Sequence, residues 1–412
     1  MKIFLEPAKE IPVYGKYDTV VVGGGFAGIA AALAAARGGN SVLLCEKMFV
    51  LGGLGTAGLV TIYLPICDGL GEQISFGIAE ELLLASIKDG WEAMYPKPWL
   101  EGGTKEEKIK LRYRVRYNAG ACIIAMEKLL LEAGVEILYG TSVCDVAVEN
   151  GEITHLIIEN KSGRSAVEVG NVVDCSGDAD ICVFAGEDTA LHGKGNVLAA
   201  WYYYNDAEGN KLKMLGFADV PGARDKKPEE DTRAIPNDHH YVGIDAKELS
   251  EMTIDSHRAV YTHFLEGNPI SQEHMLTCVA TMPQVRMTRR LDGVTVLDKT
   301  EDYVHYEDSV GMFGNWKGNG VNVHTGQHFE LPYSCLYGKK IKNLATAGRC
   351  ISTTDEMWEY SRVIPVCAVS GEAAGTAAAL GKNFPEVDIT ALQNKLKENG
   401  VLLHWDERKQ EA

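Results

Sequence analysis

No pair of cysteines in this sequence is spaced Cys-x-x-Cys. The ten cysteines stand apart at 45, 67, 122, 144, 175, 182, 278, 335, 350 and 367. That removes the usual zinc, iron–sulfur and dithiol spacings and reads as reduced core thiols in a reducing compartment. Long apolar runs are missing too: the longest helix-forming one, residues 26–36, is too short to cross a bilayer. Residues 1–17 hold Glu6, Pro7, Glu10 and Pro12 and lack the apolar stretch of a signal peptide, so a cytoplasmic chain is expected. Basic residues number 40 against 57 acidic ones, a net charge of −17. That balance argues against a nucleic-acid partner and against an anionic membrane surface. Internal repeats and low-complexity tracts are absent. What is there, 412 residues of which 46% are hydrophobic, suits two or three domains around a large core.

The chain opens with a short Pro-containing arm, residues 1–16, expected to lie extended on the surface. Residues 17–22 form a β-branched run of the kind found in buried parallel strands. Glycines follow, then Ala-rich helix-forming sequence over 26–37, stopped by Gly38-Gly39-Asn40. Residues 41–45 read as a second buried strand ending in Glu46, which completes a βαβ unit. Residues 70–130 read as helical, clearest over 80–88 and 120–133, with 95–110 as a Pro/Gly-rich and then charged surface excursion. Between 135 and 174 the pattern turns to strands, 136–139, 142–148, 153–159 and 164–169, joined by Asn150-Gly151 and Lys161-Ser162-Gly163. A further strand over 172–175 leads into Ser176-Gly177-Asp178. Residues 186–334 hold most of the histidines and charge-rich loops and read as an inserted unit. A short strand over 344–347 and a small-residue helix over 364–380 then return to the first unit.

The chemistry is concentrated in Gly23-x-Gly25-x-x-Gly28, which follows a strand and opens a helix. Gly23 permits the tight turn, Gly25 lets the backbone approach a pyrophosphate, and Gly28 lets helix and strand pack closely. The helix N-terminus offers unpaired N–H groups and the positive end of its dipole. Glu46, eighteen residues past Gly28, ends the second strand, where a carboxylate accepts ribose hydroxyls and repels a 2′-phosphate. Right after it, Lys47 to Gly58 form a second Gly-rich stretch. That suits a ligand extending across it, as FAD does. No second Gly-x-Gly-x-x-Gly stands in the inserted region, so a reductase holding NAD(P)H beside FAD is not expected.

These stretches, residues 17–47, 51–60, 172–180 and 343–380, resemble the FAD-dependent oxidoreductase family of the glutathione-reductase-type Rossmann superfamily. Fumarate reductase flavoproteins, GidA-like proteins and heterodisulfide reductase flavin subunits belong to the same superfamily. The resemblance extends over nearly the whole chain, including residues 284–293 and Asn322-Val323-His324. It implies non-covalent FAD, with Gly23, Gly25 and Gly28 at the pyrophosphate, Glu46 at the adenosine ribose and Lys47 among the cofactor-binding residues. Gly53 and Thr56 would lie toward the flavin, and Val143 would hold the adenine through its backbone. Gly177, Asp178, Gly348 and Arg349 would lie near the pyrophosphate or ribityl chain. The helix after Pro365 would aim its N-terminus at the flavin pyrimidine edge, where the dipole favours the anionic reduced form; Gly371 and Gly375 would allow close helix packing, with Gly371 also among the cofactor-binding residues.

For substrate chemistry, cations that hold an oxyanion are the usual device. Arg286, Arg289 and Arg290, at three- and four-residue spacing, are expected to share one helix face. The family's acidic residue after the first arginine is Met287 here, which weakens a paired role for Arg286. His324 is the first candidate for proton transfer, and Arg362 is a further cation at the flavin or substrate. His239, His240 and His257 offer a weak metal alternative, and Cys67 a weak site of covalent flavin attachment.

The fold expected is α/β: an FAD-binding Rossmann-type parallel sheet with a β-meander, plus an inserted α+β substrate domain. The boundaries are 1–185 for the first part of the FAD domain, 186–334 for the insert, 335–385 for the returning part and 386–412 for a C-terminal helical tail. The activity expected is hydride transfer between flavin N5 and a small polar organic substrate, by alcohol, sugar or amine oxidation, with an unidentified electron acceptor or donor. The alternatives are fumarate-reductase-like reduction of an activated C=C, with Arg289 and Arg290 on the substrate carboxylates, or a flavin electron-transfer subunit of a larger complex. RNA modification of the GidA-like kind is disfavoured by the charge. A homodimer is the default assembly.

Overall fold

The computed structural model describes residues 3–216, 239–315 and 326–408. His324, with Asn322 and Val323, lies outside the described residues. The central sheet has seven strands: β1 (Val13–Val22), β2 (Val42–Cys45), β3 (Glu136–Leu138), β4 (Ser142–Glu149), β5 (Glu152–Asn160), β6 (Gly163–Asp174) and β7 (Leu344–Thr346). The order across it is β3-β2-β1-β6-β5-β4, with β7 paired to the far half of β6. β3, β2, β1, β6 and β7 run parallel, whereas β4, β5 and the near half of β6 form the antiparallel meander. Asn150, at φ 52, and Gly151, at φ 77, turn β4 into β5. Positive φ at both central residues matches the right-handed twist of the flanking strands.

β6 is one continuous strand where the sequence suggested two. Gly170 does not break it. A Cβ there would stand 2.6 Å from the Asp18 carbonyl oxygen, so glycine permits close approach to β1. β1 itself begins earlier than expected, because residues 13–16 of the opening arm pair with β6.

Helix α1 (Phe26–Arg37) is buried over nearly its whole length and packs on helix α2 (Ile364–Leu380). A Cβ on Gly371 would lie 2.2 Å from the Ala27 carbonyl oxygen, and one on Gly375 2.1 Å from that of Ala31. These glycines let two helix backbones touch. The close helix packing expected of Gly371 and Gly375 is thus observed.

Residues 70–130 are not simply helical. Ile78–Lys88 and Ala119–Glu132 are helices, but Ile62–Tyr63, Val115–Tyr117 and Trp91–Met94 form a three-stranded sheet with Val115–Tyr117 in the middle. Farther on, Ala199–Asp206 lies between Gly209–Gly216 and Met275–Val279. That sheet meets the helix Ala246–Val260 around Ala200, Tyr202, Val260 and Phe264 in a core of its own. Leu297, Val310, Phe313, Phe329 and Leu331 join the first core instead, so not all of 186–334 stands apart. Leu392, Leu396, Val401 and Leu403 do the same, which fastens the C-terminal stretch to the first unit. Among the described residues no single helix is long and apolar enough to cross a membrane.

Candidate functional site

The three glycines of the first turn are glycine for different reasons. Gly23 has φ 102, and a Cβ there would stand 2.4 Å from the Cys175 carbonyl oxygen. A Cβ on Gly28 would meet the Gly23 carbonyl oxygen at 1.8 Å. Both positions are sterically closed. Gly25, the N-cap of α1, has φ −70 and ψ 177, which any residue adopts, and a Cβ there would meet nothing within 4 Å. The protein's own packing does not require glycine here. The bare backbone leaves open space against the first amides of α1, where an anion is stabilised by N–H groups and dipole.

Glu46 is buried at the end of β2. Its carboxylate accepts from the amide of Gly24 at 2.6 Å and from that of Met48 at 2.7 Å, which fixes its orientation beside the turn. Lys47 is exposed. The second glycine stretch docks on the first: the Gly52 amide donates to the Gly24 carbonyl at 2.8 Å, and Gly25 and Gly52 form a parallel bridge. Gly53 has φ 54, and its Cβ direction points toward the Gly25 Cα at 3.4 Å. The Thr56 hydroxyl donates to the Leu51 carbonyl and closes the loop. Val143 lies near the start of β4, paired with Ile158 at the edge of the sheet.

At the ends of the adjacent strands β6 and β7 lie Gly177, at φ 88, and Gly348, at φ 81. Arg349 donates to the Asp178 carboxylate at 3.0 Å and to the Val285 carbonyl, and Asp178 also accepts from the Thr288 hydroxyl. Gly177 is pressed against this guanidinium: a Cβ would stand 2.6 Å from Arg349 Nη2. The predicted pairs 177–178 and 348–349 thus come together in one knot.

Arg289 and Arg290 are not on a helix. Arg289–Leu291 is a strand paired antiparallel with Thr189–Leu191. Neighbouring side chains on a strand point to opposite faces, and these two do. Arg289 donates to the Asp178 carbonyl at 2.8 Å and to Asp180 at 2.7 Å. Arg290 donates to the Thr353 carbonyl, pairs with Asp355 at 3.2 Å and stands 4.9 Å over the Trp358 ring. Both guanidiniums are committed to protein carboxylates. Burial first, then the charges of Asp174 and Asp178, push the Asp180 carboxyl up to about 6 against the pull of Arg289.

Arg362 caps the helix Asp355–Ser361, and its carbonyl accepts from the Cys367 thiol in the first turn of α2. Burial pushes that thiol up to about 12, although Arg349 and Arg362 both pull it down. Cys67 is buried, with its sulfur accepting from the Tyr113 amide at 3.3 Å. His239, His240 and His257 have separate partners, Glu248, the Lys194 carbonyl and the Ala280 carbonyl. Among the described residues the metal-capable atoms that do converge, within 4.8 Å, belong to His305, Glu330 and His404.

Sequence reasoning missed a second polar centre. Residues 112–117 read Arg-Tyr-Arg-Val-Arg-Tyr. Tyr113, Val115 and Tyr117 face the core, and the charges of Arg112 and Arg116 both bear on Arg114, so the three guanidiniums stand near one another. The period-two alternation was the available signal. Tyr117 ties this segment to the glycine stretch, its amide donating to the Thr61 carbonyl at 3.3 Å and its hydroxyl to the Gly55 carbonyl at 2.8 Å. From the other side, Tyr203 on the strand Ala199–Asp206 donates to Glu92 at 2.7 Å and stands 3.2 Å from the Thr61 hydroxyl. Burial raises the Glu92 carboxyl, while the Tyr203 hydrogen bond and the Arg116 charge oppose it.

A parallel sheet with a Gly-x-Gly-x-x-Gly turn at its carboxyl edge and a buried acid after the second strand defines a dinucleotide-binding α/β protein. The profile of the FAD dependent oxidoreductase family matches residues 18–198 and 199–396, and the chain belongs to that family. FAD is its cofactor, and it is an FAD-dependent oxidoreductase. It is similar to the thioredoxin reductase of Ureaplasma parvum serovar 3, with 35% identity over 77 residues, a match covering 19% of this chain and 25% of that one. Among solved structures it is similar to a geranylgeranyl bacteriochlorophyll reductase-like protein of Thermoplasma acidophilum, with 14% identity, 93% and 83% of the two chains covered and a TM-score of 0.45. It is also similar to the p-nitrophenol 4-monooxygenase of Pseudomonas putida DLL-E4, with 13% identity, 93% and 81% covered and a TM-score of 0.40.

Proposed function

We propose that this oxidoreductase exchanges a hydride with a small polar organic substrate, oxidising an alcohol, sugar or amine carbon, in the crevice between the glycine stretch 52–58 and the strand Ala199–Asp206. FAD, held non-covalently, supplies the two-electron acceptor. The residues present suit it. Gly25 and the first turn of α1 would hold the pyrophosphate and Glu46 the adenosine ribose, with the Val143 backbone at the adenine. Gly53, Thr56, Gly177 and Gly348 would border the remainder, and the N-terminus of α2 would face the flavin ring.

The observation that carries the reading is the Glu92–Tyr203 hydrogen bond. It joins the first unit to the cap sheet beside Thr61 and the glycine stretch. Burial raises the Glu92 carboxyl against the pull of the Tyr203 hydrogen bond and the Arg116 charge, a direction that suits a group that takes the substrate proton and later releases it. Tyr203 orients that carboxyl. His324 stays a candidate for the same task from the sequence alone.

Anaerobic titration of the purified flavoprotein with hydroxy acids, sugars and amines tests the reading. Loss of the flavin band at about 450 nm with one donor class is the expected result. A flavin that no donor bleaches, but whose reduced form is reoxidised by unsaturated acids, would replace it with the reductase reading.

A further inference from the structure

We propose that the row Arg112, Arg114 and Arg116 is a binding site for a small organic carboxylate, so that the substrate of the crevice is an anion of the hydroxy-acid or dicarboxylate class. The inference rests on the functional reading above and names its substrate.

Three guanidiniums close together on a short segment repel each other. The Arg114 charge is disfavoured by burial first, and then by Arg112 and Arg116. Arg112 is 5% exposed, and only its Nη2 is engaged, donating to the carbonyls of Cys67 at 3.3 Å and Asn315 at 3.0 Å. Among the described residues its Nε and Nη1 have no partner, nor do Nε of Arg114 and Nε of Arg116, and all four are buried. A buried cation without a counter-ion is costly. Three partly buried arginines elsewhere are each answered by a carboxylate: Arg289 by Asp180, Arg290 by Asp355 and Arg349 by Asp178. Along the row, Glu92 is the acid whose charge is coupled to Arg116. Burial favours its neutral form, and its oxygens already accept from Tyr203.

Among the described residues no free carboxylate answers the row, and the partner assigned to it is an anion from outside the chain. Several N–H donors fixed in planar forks fit carboxylate oxygens in pairs. The location fits a substrate as well, since the same segment is hydrogen-bonded through Tyr117 to the Gly55 carbonyl of the glycine stretch.

The test is calorimetric titration of the protein as purified, with malonate, succinate, inorganic phosphate and glucose. The flavin content of each sample is read from its absorption spectrum. The expected result is saturable binding of the carboxylates and none of glucose. Arg114→Gln and Arg116→Gln should weaken carboxylate binding at least tenfold at unchanged flavin content, with partial recovery in Arg116→Lys. Arg258→Gln, an exposed side chain on the helix Ala246–Val260 that pairs with Asp255, should leave it unchanged. Arg112 is embedded among backbone carbonyls, so the two less buried arginines carry the test. A flavin-replete protein that binds no carboxylate, binds phosphate alone, or binds equally well in both glutamine variants would overturn the proposal and leave the flavoprotein assignment standing. A protein that binds carboxylates through these arginines but lacks flavin would support the site and contradict the oxidoreductase reading.

Discussion

The Arg349 guanidinium donates to the Asp178 carboxylate at 3.0 Å across the ends of two neighbouring parallel strands. The pair is partly buried and locks the loops after β6 and β7 against each other. Asp178→Asn keeps the shape but removes the charge that holds Arg349. FAD affinity is expected to fall about tenfold, or about 1.4 kcal/mol, measured by fluorescence titration of the apoprotein, with the thermal midpoint lowered by only a few degrees.

Glu92→Gln removes the proton-accepting group while retaining an oxygen for Tyr203. Flavin reduction by substrate should slow by on the order of 10²-fold, with flavin content unchanged. Tyr203→Phe, which only orients Glu92, should cost less. Stopped-flow reduction rates decide between this and a purely structural hydrogen bond, which would alter stability and leave the rate alone.

Glu372 sits inside α2. One oxygen accepts from the Ile78 amide at 2.8 Å, and the other is buried without a partner. Burial raises its carboxyl to about 8. Because the folded value lies above the unfolded one, the folded state holds the proton longer. Stability is therefore full below the model-peptide value of 4.5 and declines as pH rises from there toward about 8. Glu372→Gln keeps the accepting oxygen without the ionisation. Its thermal midpoint should exceed that of the native protein by several degrees at pH 8–9, and the gap should close at about pH 5. Parallel pH profiles of the two proteins would contradict this account.

Gly371→Ala should be destabilising by about 1–3 kcal/mol, because its methyl meets the Ala27 carbonyl of α1. FAD affinity per folded molecule should be little changed. A selective loss of flavin at native stability would return Gly371 to the cofactor site. Denaturant unfolding beside flavin titration separates the two.

The nucleotide half of the site was legible because its chemistry is local. Strand, Gly23 to Gly28, helix and Glu46 follow one another in sequence, and each glycine's task depends on near neighbours. The cap was less legible for the opposite reason. Arg289 and Arg290 were read at helical spacing, but their strand exists only because it pairs with Thr189–Leu191, a hundred residues away in sequence. That distant pairing is also what turns the two side chains to opposite carboxylates. Arg112 to Tyr117 carried a clear period-two signal, masked by the charged residues before it.

The most direct measurement is the FAD dissociation constant of Gly25→Ala against that of the native protein, with apoprotein stability measured on the same samples. A Cβ at Gly25 meets no protein atom within 4 Å, so the fold should lose less than about 0.5 kcal/mol. If the bare backbone at this turn receives the pyrophosphate, affinity should drop at least tenfold. A variant that is as stable and binds FAD as tightly as the native protein would contradict the placement of the cofactor on which the rest depends.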